Sequence, residues 1–162
     1  LSFIEGDSFT RTVVEDKIVE SVLAISDYLL RHTIAHEVIY NTETIQSMFL
    51  RSEGDFDGFY RICSEISFFS HIPVSAMLEQ SLYMINDRSF CMIITSHLSD
   101  ELCLATMKIL ELSDEADINI ICIDDDGFET MAGKFDKRIK IAHITKEQEI
   151  TDVLDINQGG RL

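Results

Sequence analysis

A chain of 162 residues is the size of one ordinary domain, and a domain of about 150 residues buries roughly 70% of its unfolded surface, so a single core suffices. Its 29 Asp and Glu against 13 Lys and Arg leave a formal net charge of −16. That balance argues against a nucleic-acid backbone or an anionic membrane surface as partner, because both are held by Lys and Arg. No apolar run approaches the roughly 20 residues that a bilayer crossing needs, and the residues after Leu1 carry no signal-peptide pattern.

A field of this sign attracts a basic protein surface or a divalent cation, although most excess carboxylates do no more than keep a domain soluble. Cys63, Cys91, Cys103 and Cys122 have no Cys-x-x-Cys spacing and lie inside apolar segments. They read as reduced core thiols in a cytoplasmic setting, not as zinc ligands or a disulfide framework. The start at Leu1 and the end at Gly159-Gly160-Arg161-Leu162 read as the limits of a domain cut from a larger protein, whose other parts could carry an anchor.

In chain order, Leu1 to Glu5 is expected to be a first strand and Gly6-Asp7-Ser8 its turn into a helix. From Val14, the residues Val14, Ile18, Val22, Ile25 and Leu29 form one stripe widened by Val19, Leu23 and Leu30, with Glu15, Asp16, Lys17 and Glu20 facing away. The acidic residues near its start and Arg31 and His32 near its end suit the helix dipole. Ala35 to Tyr40 and Thr44 to Leu50 read as a tight antiparallel pair of strands turning at Asn41-Thr42-Glu43. Phe56, Phe59, Tyr60, Cys63 and Ile66 repeat at helical spacing, predicting a helix over Asp55 to Phe69 whose aromatic stripe is core.

Pro73 introduces a helix over Val74 to Ile85, from its first turn, and Asn86-Asp87 closes it. Phe90 to Ser96 is apolar on both faces, as expected for a strand at the centre of a parallel sheet with helices on both sides. Ser99 caps a helix over Asp100 to Leu112 that turns Leu102, Thr106, Ile109 and Leu110 inward. Asp117 to Ile123 is a further strand, Phe128 to Gly133 a helical turn, Arg138 to Ile144 a last strand and Glu147 to Ile156 a last helix. The alternation specifies a single α/β domain over 1–162, three-layered and Rossmann-like. Its mostly parallel sheet carries helices on both faces, and the pair around Asn41 adds one antiparallel edge strand.

Ligands of such sheets bind beyond the carboxyl ends of the strands. The candidate edge is therefore Glu5, Asp7 and Ser8, then Thr95, Ser96, His97, Ser99 and Asp100, then Asp124, Asp125 and Asp126.

The order of elements resembles a von Willebrand factor A-type domain. Glu15-Asp16-Lys17-Ile18-Val19-Glu20, Phe56 with Phe59-Tyr60 and Ile66-Ser67-Phe68, and Ile93-Ile94-Thr95-Ser96 followed by Leu98 resemble the carboxy-terminal part of the bacterial domain-of-unknown-function 58 family. The likeness spans roughly Val13 to Asp125. It implies a protein-interaction module that works with a MoxR-type AAA ATPase in the assembly of protein complexes, in proteins whose membrane segments lie elsewhere. Domains of the type hold magnesium through an Asp-x-Ser-x-Ser turn after the first strand, with a threonine and an aspartate from later loops. Here Glu5-Gly6-Asp7-Ser8-Phe9 departs from that turn, and Thr95-Ser96 stands where an aspartate is expected. The resemblance thus implies a degenerate metal site, with Glu5, Asp7, Ser8, Ser96, Asp100 and Asp124 as remaining oxygen donors and no cofactor required.

The alternative is a magnesium-dependent phosphatase. Ile121-Cys122-Ile123-Asp124-Asp125-Asp126-Gly127 resembles the nucleophile loop of haloacid dehalogenases, with Asp124 as nucleophile and Asp126 as acid and base. That loop normally follows the first strand, and here Phe128 replaces the usual threonine; a three-aspartate turn after a strand is the plain account. His97, Ser99 and Asp100 form no hydrolase triad, because no Gly-x-Ser-x-Gly elbow exists and neighbours in sequence do not make one. His32, His36, His71 and His143 lack ligand spacing, and no glycine-rich phosphate loop occurs.

Overall fold

The structure, a computed structural model, describes residues 8–41, 43–66, 72–82 and 89–148. The elements run α1 (Ser8–Arg31), β1 (His36–Asn41), β2 (Ile45–Leu50), α2 (Glu53–Glu65), α3 (Val74–Ser81), β3 (Phe90–Thr95), α4 (Asp100–Leu112), β4 (Asp117–Ile123), α5 (Phe128–Ala132) and β5 (Lys140–Ile144). The expected strand Leu1 to Glu5, the turn at Gly6-Asp7, the turn at Asn86-Asp87 and the helix over Glu147 to Ile156 beyond Gln148 lie outside the described residues. So do the last residues of the helices expected to reach Phe69 and Ile85.

The described strands form two sheets. β3, β4 and β5 are parallel in that order, with Ile93 opposite Ile120 and Ile120 opposite Ile141. Among the described strands β4 is paired on both sides, with β3 and with β5. β1 and β2 pair antiparallel with each other, Val38 opposite Met48, as a separate two-stranded sheet. The expectation of a single sheet with an antiparallel edge strand is corrected here. The hairpin turns its apolar side chains toward other elements: Val38, Tyr40, Met48 and Leu50 pack with Phe59 and Cys63 of α2 and with Val19, Val22, Leu23 and Leu30 of α1.

Alternation along the parallel strands distributes their side chains to two faces. Cys91, Ile93, Ile118, Ile120 and Cys122 meet Leu102, Cys103, Ile109 and Leu110 of α4 and Val74 and Leu78 of α3. Met92, Ile94, Ile121, Ile123 and Ile144 meet Val14, Ile18, Ile25 and Leu29 of α1. Helices therefore cover both faces, and α1 lies between the parallel sheet and the hairpin with α2. That double coverage explains Lys17, expected to face solvent yet buried, its ammonium 2.9 Å from Glu20 Oε2.

α1 begins at Ser8, not Val14, so no acidic residue lies in its first turn. Glu15 instead accepts from Arg11 at 2.7 Å. The helix ends as its C-terminal motif requires: Ile34 N donates to Leu29 O and Thr33 N to Leu30 O, each at 2.9 Å, with Thr33 at φ 58°. α2 starts at a capping box in which Ser52 and Asp55 satisfy each other's backbone amides. Pro73 stands just before α3 as its N-cap residue, one step earlier than expected.

A β-branched residue in the left-handed region is strained by about 1–2 kcal/mol, and glycine is not. Thr33→Gly is expected to stabilise the domain by roughly 0.5 kcal/mol after the greater chain entropy of glycine is subtracted. Urea unfolding checks it, with Thr33→Ala showing no comparable gain.

Candidate functional site

The parallel strands end at one edge, which brings Thr95 to Asp100, Asp124 to Gly127 and Thr145-Lys146 together. The loop after β3 is built on Thr95, whose hydroxyl donates to His97 O at 3.0 Å and accepts from His97 N at 3.2 Å. This tight turn leaves His97 exposed and Leu98 fully buried under the loop. Ser99 then caps α4, accepting from Leu102 N at 3.2 Å. Ser96 is buried, and its hydroxyl has no hydrogen-bond partner among the described residues.

Asp125 is the organising group. It is 8% exposed, and its carboxylate accepts from Leu98 N at 2.8 Å with Oδ2 and from Gly127 N at 2.8 Å with Oδ1. One side chain thus fixes the loop after β3 to the loop after β4, 27 residues apart in sequence. A carboxylate carries enough acceptor positions for both amides, and such charge-assisted bonds are among the strong ones. Glycine at 127 permits the approach, since a Cβ there would stand 3.2 Å from Oδ1. His97 Nδ1 and Cys122 Sγ each lie 3.7 Å from Oδ2.

The neighbouring aspartates differ in setting. Asp124 adopts φ 54°, its amide donates to Ile144 O at 2.9 Å and its carboxylate is 3.3 Å from Lys146 Nζ. Asp126 is exposed. Asp100, at the start of α4, pairs with Lys134 at 2.8 Å. The pair named for phosphatase chemistry, Asp124 and Asp126, is therefore split between an ion-paired and a solvated carboxylate. Glu5 and Asp7 lie outside the described residues, and Ser8 opens α1, so Ser8-Phe9 is helix and not the expected loop.

These residues do not fit a magnesium site among the described ones. No group of three or more His, Cys, Asp or Glu side chains converges as ligands there. Asp125 is committed to two amides and Asp124 to a lysine, whereas magnesium needs near-octahedral oxygen ligands.

Sequence reasoning missed Lys146 and Lys134 as partners of the edge. Lys146 was recoverable in principle, because it follows the last parallel strand and must emerge beside Asp124. Lys134 follows a short helix whose course no periodicity fixes.

No cysteine of the four is in a disulfide. Burial pushes the Cys63 and Cys91 thiols from 9.0 up to about 11. Cys103 and Cys122 are also raised, first by burial, then by Asp100 and Asp125 respectively. Lys134 pulls Cys103 the other way without reversing the rise, so none of the four has the lowered pKa of a reactive thiolate.

No family model matches the chain, and no curated protein matches it. Among the described residues, no helix is long and apolar enough to cross a membrane.

Two outcomes are expected. Asp125→Ala, which strands two amides, should cost about 3 kcal/mol in urea unfolding, and Asp125→Asn, which keeps one acceptor oxygen, about half of that. As pH rises past 9.0, thiols of the unfolded chain ionise before those of the folded one, so the unfolded state binds fewer protons and stability falls until about pH 11. The melting temperature should decline across that window with a slope that flattens in a Cys63→Ala, Cys91→Ala variant.

Proposed function

We propose that this domain is a non-enzymatic protein-interaction module of von Willebrand factor A-like architecture, and that its recognition surface is the carboxyl edge of the parallel sheet. The observation that carries the reading is the buried Asp125, which fixes the loops after β3 and β4 to each other. Two loops held in this way present exposed His97, Asp100 and Asp126 in a constant arrangement. A surface ordered before contact loses less conformational entropy on binding. Thr95 and Ser99 serve that arrangement by shaping the turn and capping α4.

The net charge of −16 favours a basic partner surface and speeds its encounter. The resemblance to the bacterial domain-of-unknown-function 58 family names a MoxR-type AAA ATPase as the partner to try, in the assembly of protein complexes in the cytoplasm. This reading needs no cofactor.

Titration calorimetry against such an ATPase tests it. The domain should bind, and a triple variant His97→Ala, Asp100→Asn, Asp126→Asn should lose about tenfold in affinity or more, on the scale of interface hot spots. Its three side chains are exposed, so the fold stays intact by circular dichroism. Equal binding of variant and wild type would remove the loop edge from the interaction.

A further inference from the structure

The chain holds two Asp-Gly pairs, Asp57-Gly58 and Asp126-Gly127. Such a pair can rearrange without any other reactant than water. The glycine nitrogen attacks Cγ of the protonated aspartic acid and an N–Cγ bond closes a succinimide ring, while the nitrogen's proton and the carboxyl hydroxyl leave together as water. A second water then opens the ring at the former backbone carbonyl. The C–N bond there breaks, and the chain runs on through Cβ as an isoaspartate, with nothing oxidised or reduced. Glycine eases the step because no Cβ hinders its nitrogen and its backbone turns freely.

The ring forms only where the glycine nitrogen can eclipse Cβ of the aspartate and its N–H is free of a hydrogen bond. At Asp57 the body of α2 forbids both, since helical dihedrals and the i→i−4 ladder hold each interior amide. Asp126 is exposed and lies in a loop, and there the restraint comes from Asp125. Asp125 O accepts from Phe128 N at 3.1 Å, closing a β-turn, and Asp125 Oδ1 accepts from Gly127 N at 2.8 Å. Gly127, at φ −84° and ψ −2°, has the dihedrals of the third position of a type I turn. Asp126 in the second position then has an α-type ψ, which swings the Gly127 nitrogen about a quarter turn away from Cβ. The glycine itself stands where a Cβ would come 3.2 Å from Asp125 Oδ1. The contact that requires glycine here thus creates the reactive pair and also restrains it.

We infer that Asp126-Gly127 is an isoaspartate-forming site held shut by Asp125, so that the loop after β4 rearranges only when that carboxylate releases the Gly127 amide. The product lengthens the loop backbone by a methylene and moves the Asp126 carboxylate. This chemistry belongs to the loop itself and holds whether or not the edge binds a partner.

The test keeps wild type and Asp125→Ala for weeks at neutral pH, beside wild type unfolded in guanidinium chloride. Peptide mapping with electron-transfer fragmentation follows isoaspartate at both positions. In native wild type each position should react at least about tenfold more slowly than in the unfolded chain. In Asp125→Ala, position 126 should accelerate about tenfold or more, as expected for loss of a charge-assisted hydrogen bond, while position 57 keeps the wild-type pace. Trimethylamine N-oxide is added to both proteins until position 57 is equally protected in them, so that folded chains are compared. The inference is overturned if position 126 reacts in native wild type as fast as in the unfolded chain. It is overturned as well if removing the carboxylate leaves position 126 as slow as before.

Discussion

Burial of α1 on two sides is the constraint on which the rest of the structure depends. Its Val14, Ile18, Ile25 and Leu29 cover one face of the parallel sheet, while Val19, Val22, Leu23 and Leu30 receive the hairpin and α2. A two-stranded hairpin is marginal alone, and here it is held by Phe59, Leu50 and Cys63 against this helix. The buried Lys17 follows from the same placement, and its ammonium keeps the Glu20 carboxylate as a partner.

With one face of the sheet closed by α1 and the other by α3 and α4, the strands leave only their ends for polar chemistry. At the carboxyl end the backbone must change direction twice within a few residues, and each change leaves amides without ladder partners. Asp125 answers two of them at once, Thr95 shapes the first turn and Ser99 caps the following helix. The acidic string after β4 is thus not one uniform patch. Its middle member is internal structure, its first is neutralised by Lys146, and only the third is left to solvent.

The same partition sets the loop edge apart from the outer face of α4. The loop edge is polar, small and rigidified from within. The outer face of α4 is mixed, with Lys108 and Glu111 set between exposed Leu104, Met107 and Leu112, and it is presented by a helix whose other side is packed on the core. Both sit in the strongly negative field of the whole chain, and under the proposal made for the loop edge that field would favour a basic partner.

The elements were legible in the sequence because each carries its own period. The stripe of α1, the run from Phe90 to Thr95 that is apolar on both faces, the apolar run from Asp117 to Ile123 and the Ser99 cap are local patterns that burial on one or two faces enforces. The α/β class followed from their order, and the edge from the rule that parallel strands end together. What tertiary structure alone decided is pairing and partition. No local pattern says that the hairpin stands apart from the parallel sheet or that β4 pairs between β3 and β5, because hydrogen bonds between strands leave no mark on periodicity. Nor could the sequence separate three consecutive aspartates. That depends on which carboxylate meets the Leu98 amide, a contact across 27 residues that exists only once β3 and β4 lie side by side.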